Sequence, residues 1–472
     1  MMKKIGLSTI LIASLAISAN AKTYSQADMD RVLERLDRLE AALNKQQTQT
    51  TKKFKEIQSS TDESIDDLYE RADENEFQAT MNRIKWGAEF EVSDNFVEGR
   101  TGSMPKMDTN GNTYNNSNQW TTKLRLSMDA KINDKTKFTG RLSMYKNWSD
   151  SKNDALVDPA QGRKPVGDSG IYVERAYVDY SPTDYFTVTL GRQPSSDGPG
   201  MTLIENTQRK STYPAILFDG AADGVVGTFK LASDSEMKPT IRLAYGKGFQ
   251  ADVNYSPYMA KENQIDDLNV YGLFYEMKLP FNQMGENLLV LSYVKGTDFV
   301  GHPQQTDAPN NKNLGNMDLA GIYFENNKAF GSNLSYFLST AFSMPDSNGE
   351  TVNFGAMTNN QDVALIDKNG YAFHIGARYD FESGIKLGYE FNKGSKYWYS
   401  FTNGSSDLLN KMSTRGTVND FYAMYQIDTY QFIKLGYTMI DYDYTGSGWH
   451  IGTPTRTNDY VNRAYTTYNL RF

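Results

Sequence analysis

Cysteine is absent from the 472 residues, and histidine occurs only at His302, His374 and His450. The first absence removes disulfides, a thiolate nucleophile and thiolate metal ligands. The second argues against an imidazole-rich metal site, so neither a metal nor a cofactor is expected. Beyond residue 21 there is no run of about 18 apolar residues, and hence no helix to span a membrane. An excess of basic charge is lacking too. Lys and Arg number 49 against 57 Asp and Glu, for a net charge of −8, which leaves a nucleic-acid partner without electrostatic support. Mean hydropathy is only −0.60. Aromatic residues are not scarce: 31 Tyr and 24 Phe help them to 13% of the chain, whereas disordered chains are aromatic-poor.

The N-terminus reads as an export address. Lys3 and Lys4 precede an apolar run from Ile5 to Ile17, and Ala19-Asn20-Ala21 supplies small residues at cleavage offsets, the form of a signal peptide over residues 1–21. A neck follows over residues 22–80. From Asp28 to about Glu76 it holds neither glycine nor proline, and Val32, Leu36, Leu39 and Leu43 step as a heptad seam. So thin a stripe needs copies of itself or another surface. A short oligomeric coiled coil is one reading. A partly helical acidic spacer is the other, favoured in the second half by the acids between Asp62 and Glu76.

After Asn82 the period changes to two. Trp120, Thr122, Leu124, Leu126, Met128, Ala130 and Ile132 alternate with Thr121, Lys123, Arg125, Ser127, Asp129 and Lys131. A strand with one apolar and one charged face lies between lipid and water. The pattern recurs through Ile385, Leu387, Tyr389 and Phe391, while Leu288–Val294 and Met317–Glu325 are ambiguous in phase. Tight polar turns at Asn133-Asp134-Lys135, Ser181-Pro182-Thr183, Glu382-Ser383-Gly384 and Asp428-Thr429 alternate with long stretches near 95–118, 150–169, 194–221, 249–266, 298–316, 344–369, 396–416 and 444–459. About sixteen antiparallel strands are expected over residues 81–472. They must close into a transmembrane β-barrel, because an open sheet edge in lipid leaves backbone groups unpaired.

The chain ends Ala464-Tyr465-Thr466-Thr467-Tyr468-Asn469-Leu470-Arg471-Phe472. In this the sequence resembles bacterial outer-membrane barrels, whose terminal Phe on an alternating last strand is recognised by the barrel-assembly machinery. That role would fall to Phe472. The architecture resembles the porins over roughly residues 83–472, and the helical neck brings it nearest to phosphate-selective-type and unassigned porin-like families. The resemblance implies an outer-membrane location in a Gram-negative bacterium, a periplasmic neck, lipid as solvent, and passive diffusion of ions and small polar solutes. A homotrimer is the expected assembly. It also implies that the third long loop, residues 194–221, folds into the lumen and narrows it. The loop carries Met201, Leu203, Ile204, Ile216, Leu217 and Phe218, which an outward lid has little use for, but it lacks the Pro-Glu-Phe-Gly-Gly type signature of general porins.

Inward faces supply charge. Arg125, Arg141 and Arg175 lie near the middle of the second, third and fourth strands, close enough for one basic ladder. By the porin resemblance this ladder faces loop acids, which carries over to Glu205 and Asp219. Arg242 and Arg378 are further pore-lining candidates, and Arg209 with Lys210 adds charge on the loop. The same arginines also read as wall charge paired with neighbouring acids. No enzyme is expected: a Ser–His pair for lipid attack should sit on the lipid side, whereas His374 falls on an inward face. The alternative function is a barrel-anchored adhesin, or a tether from outer membrane to cell wall. Asp108-Thr109-Asn110-Gly111-Asn112 is similar to a calcium loop but lacks its later Gly and terminal Glu.

Overall fold

A computed structural model describes residues 26–82, 84–100, 113–148, 170–193, 197–220, 222–232, 234–249, 267–281, 285–299, 312–353, 361–402 and 407–472. The signal-peptide residues 1–21, the Asp108–Asn112 stretch and His302 lie outside these. Two units make up the chain, divided between Asn82 and Arg83.

The described part of the first unit is one helix, α1 (Gln26–Asn82), of 57 residues. Its apolar positions Val32, Leu39, Leu43, Phe54, Ile57, Ile65 and Leu68 are all exposed. A row of Thr and Ser hydroxyls on its surface, such as Thr48 and Thr61, turns back to carbonyls four residues earlier.

The second unit holds β1 (Ile84–Arg100), β2 (Thr113–Lys131), β3 (Thr136–Asn147), β4 (Gly170–Thr183), β5 (Phe186–Gln193) and β6 (Ala222–Lys230). Next come β7 (Thr240–Phe249), β8 (Leu268–Leu279), β9 (Glu286–Thr297), β10 (Gly315–Asn327) and β11 (Leu334–Ser347). The hairpin β12 (Thr351–Val352) and β13 (Val363–Ala364) stands apart, and β14 (Gly370–Asp380), β15 (Ile385–Gly394), β16 (Gly416–Gln426), β17 (Gln431–Tyr442) and β18 (Tyr460–Arg471) complete the series. Sixteen strands close into one antiparallel barrel. Closure pairs β1 with β18 from Glu89↔Arg471 to Arg100↔Tyr460, and Phe472 and Ala88 exchange both backbone hydrogen bonds, at 2.8 and 3.0 Å.

Leu126, Leu190, Leu243, Leu273, Leu291, Ile322, Leu338, Ile375, Leu387 and Leu435 all face outward and are exposed. They form an apolar belt around every part of the wall. A water-soluble surface rarely carries an apolar patch beyond a few hundred Å², so the belt belongs in lipid and the barrel spans a membrane. Exposed aromatics flank it. Tyr185, Phe281, Phe330, Phe381, Tyr430 and Phe472 lie at the rim of short turns; Trp148, Tyr245, Tyr271 and Tyr371 lie toward the long loops. Trp148 stacks on Trp120 at 4.8 Å. Two aromatic girdles on an even-numbered closed barrel are the outer-membrane architecture of Gram-negative bacteria, with the short turns periplasmic.

Several boundaries differ from the sequence expectation. β1 and β2 run to Arg100 and from Thr113, into a stretch expected to be loop. These polar ends carry no alternation of apolar and polar residues. Ser181-Pro182-Thr183, expected as a turn, closes β4, and the turn is Asp184-Tyr185. β4 also carries a bulge: Arg141 pairs with Arg175 but Leu142 pairs with Val173, leaving Glu174 as the extra residue. Ile171 and Val173 face outward before it and Tyr180 after it, so Glu174 and Arg175 both turn inward.

Candidate functional site

The barrel interior is occupied by chain. Near the end of β5, before its connection to β6, stands Gly191, whose φ of 118° and distance of 2.2 Å from its Cβ position to the Ala176 carbonyl oxygen admit only glycine. The described part, residues 197–220, folds on itself. Lys210 donates its backbone N–H to the Asp197 carbonyl and Ala215 to that of Pro199, at 3.2 and 2.8 Å, around a single helical turn, α2 (Thr202–Glu205). Its apolar side chains are buried against inward faces of distant strands. Leu203 joins Leu288, Val290, Tyr323 and Phe337 of β9, β10 and β11. Leu217 fills the space over Gly321, 2.9 Å from where a Cβ would stand. Met201, Ile204 and Ala215 cluster with Tyr422 and Met424 of β16 and Phe432 of β17.

Polar contacts run to the far wall. Arg378 of β14 donates to the Leu203 carbonyl at 2.7 Å, Lys386 of β15 to Asn206 Oδ1 at 2.8 Å, and Lys434 of β17 to the Ile204 carbonyl at 3.1 Å. Arg471 of β18 donates to the carbonyls of Glu205 and Asn206 at 2.7 and 3.0 Å. The segment leaves from β5 and reaches β14–β18 on the other side, so it crosses the lumen.

The three ladder arginines come together under this crossing, each no more than 3% exposed. Glu205 and Asp219, the acids assigned to them by resemblance, sit elsewhere. The loop acid that meets the ladder is Asp197. Its Oδ2 lies 2.8 Å from Arg141 and 2.6 Å from Arg175, and its Oδ1 3.8 Å from Arg125. Glu174, the bulge residue, completes the cluster. It is 3.1 Å from Arg125, is bonded to Arg141, and accepts from the Ser143 hydroxyl. Burial works against the Asp197 carboxylate, but Arg141, Arg175 and Arg125 outweigh it and hold its pKa well below the usual range. Glu205 instead lies 3.8 Å from both Lys123 and Lys434. Lys123 is shared with Glu89 and Glu91 at 2.9 and 3.2 Å. Arg209 makes a forked pair with Glu276, at 3.0 and 3.2 Å, and Arg242 shares that acid at 3.2 Å. Lys210 is exposed. Phe472 is at the periplasmic rim.

Asp219 makes no ion pair among the described residues. Burial, with Asp197 and Asp407 as like charges, raises its pKa well above the ordinary value against the pull of Arg125. A carboxyl whose pKa is raised by docking contributes stability while protonated and loses it as pH rises through the docked pKa. Docking of the loop should therefore weaken with rising pH above the ordinary carboxylate range. Asp219→Asn is expected to flatten this pH dependence of docking, read as the labelling rate of a thiol placed on the loop; a profile identical to the wild type's would contradict it.

The described parts of a second connection, residues 395–402 and 407–415, also turn inward, in what the sequence reading passed over as a polar stretch. Trp398 is fully buried, and Tyr399, Met412 and Thr414 are buried with it. Lys411 is held 3.0 Å from Glu390 of β15 and 2.8 Å from Asp420 of β16. His374 lies 3.3 Å from the same Glu390. Burial opposes the Lys411 charge, yet Asp420, Glu390 and Asp407 raise its pKa well above the ordinary value. The two inward loops touch: Asp219 donates its backbone N–H to the Phe401 carbonyl at 2.7 Å, and Met412 joins the Met201–Ile204 cluster. Arg415 clamps the second loop to the next one through the carbonyls of Trp398, Thr445 and Trp449.

A family profile described as "Protein of unknown function (DUF3373)" matches residues 113–470. No curated protein matches the chain. Among solved structures, OmpF of Salmonella typhi in complex with daunomycin is similar at 12% identity and a TM-score of 0.47, over 82% of this chain and 97% of that one. OprB of Pseudomonas putida, in a high-pH structure, is similar at 10% identity and a TM-score of 0.45, over 84% and 96%.

Proposed function

The chain belongs to the DUF3373 family, and we propose that it is a porin, a non-enzymatic route for ions and small polar solutes narrowed by its own inward loops. One observation carries this reading: the 197–220 segment crosses the lumen and is held by charged wall residues as well as by apolar packing. A barrel serving only as an anchor could fill its interior with interlocking apolar side chains, as small barrels do. Here three arginines against Glu174 and Asp197 make a largely charge-compensated, hydrogen-bonded seat that a loop can leave and return to in water. Arg125, Arg141, Arg175, Glu174 and Asp197 set the narrowest charged region. Arg378, Arg471 and Lys434 fix the loop from the other side.

The helix supports the remaining part of the proposal. Its apolar stripe favours self-association as a periplasmic coiled coil in a homotrimer, with Phe472 as the signal to the assembly machinery and residues 1–21 as the export signal. Purified barrel in a planar lipid bilayer is expected to give ohmic steps smaller than an unobstructed sixteen-strand lumen would allow. A correctly folded barrel that gives no steps would replace the porin reading with that of an adhesin or tether.

A further inference from the structure

On the periplasmic side of the crossing loop lies a cavity of about 560 Å³. Its walls come from β3 to β7, its rim includes the Asn133–Lys135 turn, and residues 210–213 of the loop form the surface facing that rim. The charges around it are uneven. Lys131, Lys135, Lys137, Lys210 and Arg242 line it, against Asp134 and Asp179.

Most of these cations are already engaged. Lys131 pairs with Asp134 at 2.6 Å, Lys137 with Asp129 at 3.0 Å, and Arg242 with Glu276, which also serves Arg209. Asp179 is occupied by the Thr189 hydroxyl at 2.6 Å. Among the described residues, Lys210 and Lys135 have no carboxylate at ion-pair distance. Lys210 faces the cavity, and partial burial followed by the like charges of Arg141 and Arg175 lowers its pKa against the opposing pull of Asp197 and Asp129. An anion beside it would offset the repulsion from Arg141. The remaining lining is rich in hydroxyls, including Thr136, Ser181, Thr187 and Thr228, which can donate to oxyanion oxygens.

We propose that this cavity binds a compact multivalent oxyanion from the periplasmic side, with Lys210 on the loop and Lys135 on the turn as its principal charge partners. The inference takes from the porin reading only which mouth is periplasmic; binding itself requires no conduction. The site holds an anion against the plug, so occupancy favours the docked loop.

Titration calorimetry on the full-length protein in detergent tests this with inorganic phosphate, sulfate and citrate at fixed ionic strength, chloride serving as the background anion. Saturable binding of at least one of the three is expected, and the ranking separates phosphate-like from carboxylate ligands. Lys210→Gln should weaken it about tenfold, Lys135→Gln by less, and Lys328→Gln, on another short turn of the same rim, not at all. Binding reduced equally by all three variants, unchanged in Lys210→Gln, or not detected with any anion would overturn the proposal. Heat-modifiable gel migration verifies that each variant is folded. A barrel that binds but does not conduct would remove the porin reading and leave this site standing.

Discussion

Asp197→Asn is expected to raise single-channel conductance several-fold and to shift selectivity toward anions. The wild-type carboxylate is the closest acid to Arg175 and is shared with Arg141 and Arg125, all three buried. Removing one partner of a buried ion cluster costs about 3–5 kcal/mol, because the surviving charges stay desolvated. The barrel can escape that cost. Its sixteen strand pairs do not depend on Asp197, whereas undocking the loop lets water reach the guanidiniums. Since about 1.4 kcal/mol is tenfold in an equilibrium, a loss of this size raises the undocked fraction by roughly two to three orders of magnitude, against the apolar packing of Met201, Ile204 and Leu217 that still favours docking. The exposed arginines then lack their neutralising acid, which sets the sign of the selectivity change. Unaltered conductance in a folded variant would mean that Asp197 does not hold the loop.

Lys411→Met should have the second largest effect, through the other loop. The substitution leaves Glu390 and Asp420 buried without the ammonium they share. The strain is relieved when residues 407–415 move out and water enters. Movement is expected to reach the first loop, because the Asp219–Phe401 bond and the Met412 cluster join the two. Conductance should rise while the thermal unfolding of the barrel wall changes little. Combined with Asp197→Asn, the gain should fall short of the product of the single effects, as expected for sites that share contacts. Full multiplicativity would show two independent obstructions.

The wall was legible in the sequence because its chemistry repeats. Two faces in two solvents force a period of two, and that period located nearly every strand. The two segments of unclear phase, now β9 and β10, failed for a physical reason. Their inward residues Leu288, Val290, Met317, Leu319 and Tyr323 are buried and apolar because loop side chains pack against them. Apolar residues on both faces marked where the loop docks. Glu174 left a fainter trace, in the switch of outward positions from Ile171 and Val173 to Val178 and Tyr180. The second inward loop was signalled by Trp398, Tyr399, Phe401 and Met412 within a polar stretch, by the same logic that singled out residues 201–218. Asp197 left no signal. A lone acid among Ser and Gly acquires its role only when folding places it above three arginines from different strands.

The absence of cysteine makes the central claim directly measurable. Leu217→Cys places a single thiol on the crossing loop at a position 1% exposed and seated over Gly321. In reconstituted protein, a water-soluble maleimide should modify it at least a hundredfold more slowly than the same thiol in the denatured chain. Adding Asp197→Asn should remove most of that protection. Rapid labelling of the single variant in a folded barrel would place the loop in open water and contradict a lumen narrowed by its own chain.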